Sequence, residues 1–319
     1  MFLAALWLAL ASLPALSWNL FADAQTLLSY PFMQNAFLAG SMVALVAGIV
    51  GYFVVLRSLS FATHALSHIG FAGATGALVL SLSPVYGMLA LTLSSSTLIG
   101  LLGKRLYGRD VVIGTVLAWT LGLGVLFLSL YVGYATEAYS ILFGQILGIG
   151  QQDVQLALWA GGAALLAMAL IYRPLLFASL DEEIAEAKGV PVHLLSVLFL
   201  LIVGCAVAAA AQVMGVLLIF ALLVTPAAVA ERLTTRPPLA IALSVAFSLL
   251  FTWGGLAVAF YTPYPVSFFI TSLAFGTYVV VRVVPIIGFL VARVRRRLAP
   301  SPVTTEQMSL VAFPKRGVR

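Results

Sequence analysis

The chain has 319 residues, 63% of them hydrophobic and only 8% charged, with a formal net charge of +6; its mean hydropathy is +1.14. A soluble globular domain carries roughly 25% charged residues, so this composition excludes one and sets most of the surface against lipid. The single cysteine, Cys205, lies in an apolar run and rules out a disulfide framework and a thiolate metal site. In so apolar a chain, clustered Lys and Arg mark the cytoplasmic side of a membrane and not a nucleic-acid surface.

The pattern predicts an all-α polytopic bundle of about nine membrane helices. Residues 1–30 form an apolar N-terminal segment in which 2–17, lacking the basic n-region of a signal peptide, read as one extra helix. Tyr30-Pro31-Phe32-Met33-Gln34-Asn35 reads as an interfacial segment, its aromatics at headgroup level. Apolar spans follow near 36–56, 64–82, 86–103, 111–131, 154–172, 192–211, 213–230, 239–259 and 264–281, within a membrane domain of 31–292. A basic cytoplasmic tail, 293–319, lacks periodicity from Ala299 onward and is predicted to be disordered.

Alternate loops differ completely in positive charge. One set holds Arg57, Lys104, Arg105, Arg109, Arg173, Lys188, Arg232, Arg236, Arg282 and the run Arg293, Arg295, Arg296, Arg297. The other set, near 83–85, 132–153, 211–213 and 260–263, has none, its charges being Glu137 and Asp153. This segregation predicts cytoplasmic Arg-bearing loops and a cytoplasmic C-terminus.

Only three histidines occur, and two of them, His64 and His68, fall at i and i+4 at the start of the second span. That spacing puts both imidazoles on one helix face. Imidazole is a common ligand for divalent transition metals, and polar groups inside membranes usually line a pathway. The pair therefore reads as metal or proton handling; the simpler reading is that each ring hydrogen-bonds a neighbouring carbonyl. Ala65 stands where a zinc protease would hold its general base, so the pair does not point to zinc hydrolysis.

Further along, Ser179-Leu180-Asp181-Glu182-Glu183-Ile184-Ala185-Glu186-Ala187-Lys188-Gly189-Val190-Pro191 reads as a short acidic helix. Ser179 or Asp181 caps it, acids fill its first turn, and Gly189 and Pro191 end it. It is either a docking knob for a cytoplasmic partner or an ordinary solvated loop helix. Pro226 within a span predicts a bend that frees carbonyls. Gly103-Lys104 lacks the spacing and the Ser/Thr of a phosphate loop, so any ATP is hydrolysed by another chain.

Phe53-Val54-Val55-Leu56-Arg57 followed by His64-Ala65-Leu66-Ser67-His68 resembles the permease subunits of bacterial ABC importers for zinc, manganese and iron. Leu142-Phe143-Gly144-Gln145-Ile146-Leu147-Gly148, the acidic stretch and the Gly215-to-Ala230 run agree in order and spacing, so the resemblance covers roughly 33–285. It implies a homodimeric permease in the bacterial inner membrane, served by cytoplasmic ATPase subunits and an extracytoplasmic metal-binding protein. It also implies a transported divalent metal ion and no stably bound cofactor. The acidic loop would be the coupling helix, with Asp181, Glu182, Glu186 and Gly189 meeting the ATPase, and His64 and His68 would touch the ion transiently. The family usually carries Asp where His64 stands, and replacing a hard anion by a neutral imidazole favours zinc over manganese. Two other readings are a permease for a metal chelate, which needs no histidine pair, and a proton-coupled secondary transporter, which would need more buried acids than these spans hold.

Overall fold

The computed structural model describes residues 20–103, 109–131, 141–144 and 146–298. The readings of 2–17 as a helix and of 299–319 as disordered fall outside these residues, as does Glu137. Among the described residues the chain is helical with no strand.

A short helix, α1 (Leu20–Ser29), ends at Tyr30, whose extended backbone leads into α2 (Pro31–Leu56). Proline at the first helical position costs no hydrogen bond, because that N–H has no partner within a helix. The stretch expected to be interfacial is thus the first turn of α2. Its aromatics still cluster: the Tyr30 ring lies 5.7 Å from Phe32 and 5.6 Å from Phe260. Prolines likewise open α4 (Pro84–Leu102) and α10 (Pro237–Phe260). The remaining long helices are α3 (Ser60–Val79), α5 (Arg109–Leu130), α6 (Gln151–Leu180), α8 (Val192–Met214), α9 (Val216–Leu233) and α11 (Val266–Leu298), with the short α7 (Glu182–Ala187) between α6 and α8.

Eight of these helices are long and apolar enough to cross a membrane. The histidine-bearing α3 is not among the eight, for a physical reason. It is enclosed by α4, α5, α8 and α9, and apart from Leu66 and Ile69 its buried face is built from Ala, Gly, Ser and Thr. Small residues let neighbouring backbones approach closely, which is how membrane helices pack without a hydrophobic driving force between them.

Several boundaries differ from the sequence reading; the last span, expected to end near 281 ahead of a disordered tail from 293, is helical as far as Leu298. α6 does not stop near residue 172 but runs through Pro174 to Leu180, because a proline in a packed membrane helix bends it without ending it. The turn joining α8 and α9 falls at Gly215 and not at 211–213. α9 continues to Leu233, which brings Glu231 inside the helix.

α2 is the axis around which α6, α9 and α10 pack. Side chains at Gly48 and Gly51 would overlap the backbones of Val245 and Leu223, so these glycines set the interhelical distance. A buried bond from Ser244 Oγ to the Gly48 carbonyl, 2.8 Å, supports the α2–α10 contact; such membrane bonds are worth about 0.6 kcal/mol each. At the opposite end from Arg57, Gly144 and Gly215 both hold positive φ, +76° and +86°, and lie backbone against backbone. Two segments of the family-like pattern, 142–148 and 215–230, therefore meet directly.

The chain divides into two compact units between Tyr278 and Val279. The first holds the helix bundle; in the second, α11 continues to Leu298.

Candidate functional site

His64 and His68 sit in the first half of α3, both half-buried. Their rings are edge to face with centroids 4.7 Å apart, closer than the rise of one helical turn, because the two side chains lean together. Phe220 of α9 stands edge-on to His64 at 4.8 Å and walls one side of the pair. The helix beneath is fixed by back-bonding: Thr63 Oγ1 donates to the Leu59 carbonyl at 3.1 Å and Ser67 Oγ to the Thr63 carbonyl at 3.0 Å. Neither imidazole makes a hydrogen bond among the described residues. For the simpler reading, in which each ring is held by a carbonyl, no such bond is present among the described residues. Two adjacent imidazoles can take up a divalent ion through their ring nitrogens. They cannot close around it, since no group of three or more His, Cys, Asp or Glu fit for a metal occurs among the described residues.

The acidic stretch lies elsewhere. Asp181 caps α7, its Oδ1 accepting from the Ile184 N–H at 2.9 Å. Gly189 follows with φ +82°, turning the chain toward α8. Ser179, the other candidate cap, belongs to the last turn of α6 and donates to the Leu175 carbonyl. Glu182 and Glu186 are exposed and line a cleft of about 420 Å³ with Arg57, Ser196 and the third histidine, His193.

Arg57 joins the two regions, a role that charge counting missed. It occupies the turn between α2 and α3, three residues before the helix that bears the histidines. Its Nη1 donates to Ser179 Oγ at 3.2 Å and its Nη2 to Ser196 Oγ at 2.6 Å, so it grips the segments on either side of α7. Phe220 was also invisible beforehand, because nothing local marks one aromatic in an apolar span as a histidine's neighbour. Glu231 was missed because the expected span ended one residue before it.

Nine long helices among the described residues, one of them enclosed and carrying two adjacent imidazoles, and a capped acidic helix beside an arginine clamp define a multi-pass membrane transport subunit. The chain belongs to the ABC 3 transport family, whose model matches residues 29–284; it is a membrane permease subunit and not an enzyme. It is 30% identical, over 72% of its length and 79% of the relative's, to the manganese transport system membrane protein MntC of Halalkalibacterium halodurans. It is 33% identical to the manganese import system permease protein ScaB of Streptococcus parasanguinis, over 63% of this chain and 72% of that one. Among solved structures it is similar to PsaBC from Streptococcus pneumoniae in complex with Fab, with a TM-score of 0.73, 28% identity, and coverage of 82% of this chain and 94% of that one.

Proposed function

We propose that this chain is the permease of an ATP-driven importer of a divalent transition metal ion, and that His64 and His68 line the translocation path. The observation that carries the reading is the pair itself, 4.7 Å apart, half-exposed and without hydrogen-bond partners among the described residues. Relatives named for manganese support a metal cargo. Conduction needs binding weak enough for release, and a two-imidazole site left open meets that need where a four-ligand structural site would not. A second copy of the chain facing the first would contribute the same pair from the other side of the path.

In this reading the Arg-bearing loops and the C-terminus are cytoplasmic, following the segregation of Lys and Arg. α7 then faces the cytoplasm, where Asp181, Glu182, Glu186 and the Gly189 turn dock a separate ATPase subunit. An extracytoplasmic metal-binding protein delivers the ion at the opposite face. Manganese and zinc are the leading cargoes: the relatives point to the first, the imidazole at position 64 to the second.

The test is metal uptake in a strain lacking the chain, complemented with the wild type or with His64→Ala/His68→Ala, across zinc, manganese and iron. Wild-type restoration of one metal and failure of the double variant, at equal membrane abundance, is the expected result. Wild-type uptake by the double variant would place the path elsewhere.

A further inference from the structure

Glu231 is a carboxylate in the last turn of α9, and nothing in the histidine reading uses it. We infer that it is a second cation station on the same path, taking the metal ion between the histidine pair and the Arg-bearing face. The inference rests on the proposal that His64 and His68 line that path.

Position supports it first. Phe220, which touches His64, lies eleven residues before Glu231 on one helix. Eleven residues make just over three turns, so the two side chains leave α9 within about 20° of each other and about 16 Å apart along its axis. Between them on that stripe come Val224 and Ala228, half-buried like Phe220 and Glu231. Leu222, Leu223, Ala227 and Ala230 turn into the packed core instead. The stripe runs from the histidine pair toward the Arg-bearing end, with a carboxylate at its end.

Energetics supports it next. Asp110 and Asp153 are the other acids in the eight apolar spans, and both stand in first helical turns, where the macrodipole welcomes negative charge. Asp153 also accepts from the Gly150 N–H and from Gln212. Glu231 has the opposite placement: a C-terminal turn, where the dipole opposes a carboxylate. Its Oε1 is buried without a hydrogen-bond partner among the described residues. The buried Tyr52 of α2, whose hydroxyl is a neutral donor, lies close enough to interact with it electrostatically. An acid so placed inside a membrane is costly, and such residues mark ion pathways. A passing cation would relieve both penalties.

Chemistry completes the case. The histidine pair offers neutral nitrogen ligands and no charge to hold a dication. A carboxylate oxygen further along supplies the anionic, harder donor that suits manganese as well as zinc. The ion would pass from imidazole to carboxylate as it approaches release.

The experiment uses the whole assembly of permease, ATPase and metal-binding protein in proteoliposomes, reading uptake of radioactive manganese and of zinc together with ATP hydrolysis. Glu231→Gln, which keeps shape and removes charge, should lower maximal uptake by at least the roughly tenfold that loss of a metal-site partner costs, with the complex intact by size exclusion. Glu231→Asp should recover most of the rate. If Glu231→Gln transports as the wild type does while His68→Ala is inactive, the station is overturned and the histidine path stands. If both variants transport normally, both readings fall. If Glu231→Gln and Glu231→Asp both break up the complex, the carboxylate is structural and the station is likewise overturned.

Discussion

Arg57 donates to Ser196 at 2.6 Å across 139 residues of sequence, and this bond ties the turn before α3 to the start of α8. With the second bond, to Ser179, the guanidinium holds both flanks of α7 from one point. Any displacement of α7 is therefore felt at the turn that positions the histidine helix. Arg is suited to this by its rigid planar fork, which Lys, with a single point charge, does not reproduce.

Arg57→Ala should leave ATP hydrolysis by the assembled importer intact and reduce the metal moved per ATP. Arg57→Lys should keep one of the two bonds and give an intermediate ratio. Hydrogen bonds to charged groups are worth about 1.5–3 kcal/mol each, so loss of both should also lower thermal stability. Parallel uptake and ATPase assays check this; an unchanged ratio in both variants would make the clamp merely structural.

The histidine pair permits a test of selectivity. His64→Asp adds a hard anionic ligand beside His68. Transport should persist, with preference moving from zinc toward manganese. Competition between the two metals for uptake reads this directly, and an unchanged preference would show that position 64 does not touch the ion.

The class of fold was legible because bilayer chemistry writes it plainly: long apolar runs, and Lys and Arg confined to alternate loops. The i, i+4 pair was legible for a similar reason, since helical geometry alone puts His64 and His68 together. The Asp181 cap and the Gly189 stop were local signals and appear where expected. What stayed hidden was long-range. The Arg57 clamp, the Phe220 wall and the Gly144–Gly215 contact each join segments far apart in sequence, and helix periodicity says nothing of which helices are neighbours. Pro174 misled for the opposite reason: a local breaker was overridden by the packing around α6.

Gly189 and Gly215 both hold positive φ, yet their surroundings differ. A side chain at Gly189 would meet open space, whereas one at Gly215 would strike the backbone of Phe143 and Gly144. Gly189→Ala should therefore cost only the left-handed strain, about 1–2 kcal/mol. Gly215→Ala adds a backbone overlap that no rotamer relieves, so it should melt at a clearly lower temperature than Gly189→Ala. Thermal melting followed by size exclusion compares the two; equal melting temperatures would contradict the packing at Gly144.

Docking at α7 is tested by charge. Glu182 and Glu186 are exposed and face the cleft beside Arg57, so replacing both with Lys reverses the local field without disturbing a buried contact. Assembly with the ATPase should weaken, and hydrolysis should no longer drive uptake. The Asp181 cap is left in place, so α7 itself should persist. Unchanged co-purification together with unchanged transport would remove α7 from the docking surface.

Topology can be decided on a single helix. α6 contains 30 residues, which at ~1.5 Å per residue reach about 45 Å, enough to cross a bilayer with its headgroups. Gln152 is exposed at its start and Glu182 just beyond its end, so the two positions must lie on opposite sides of the membrane. Cys205, the one native cysteine, is first replaced by Ser so that an introduced thiol reports alone. In spheroplasts, a membrane-impermeant maleimide should label Gln152→Cys without treatment and Glu182→Cys only after permeabilisation. The reverse pattern would invert the bundle, put α7 outside the cell, and end both the ATPase docking and the inward direction of transport.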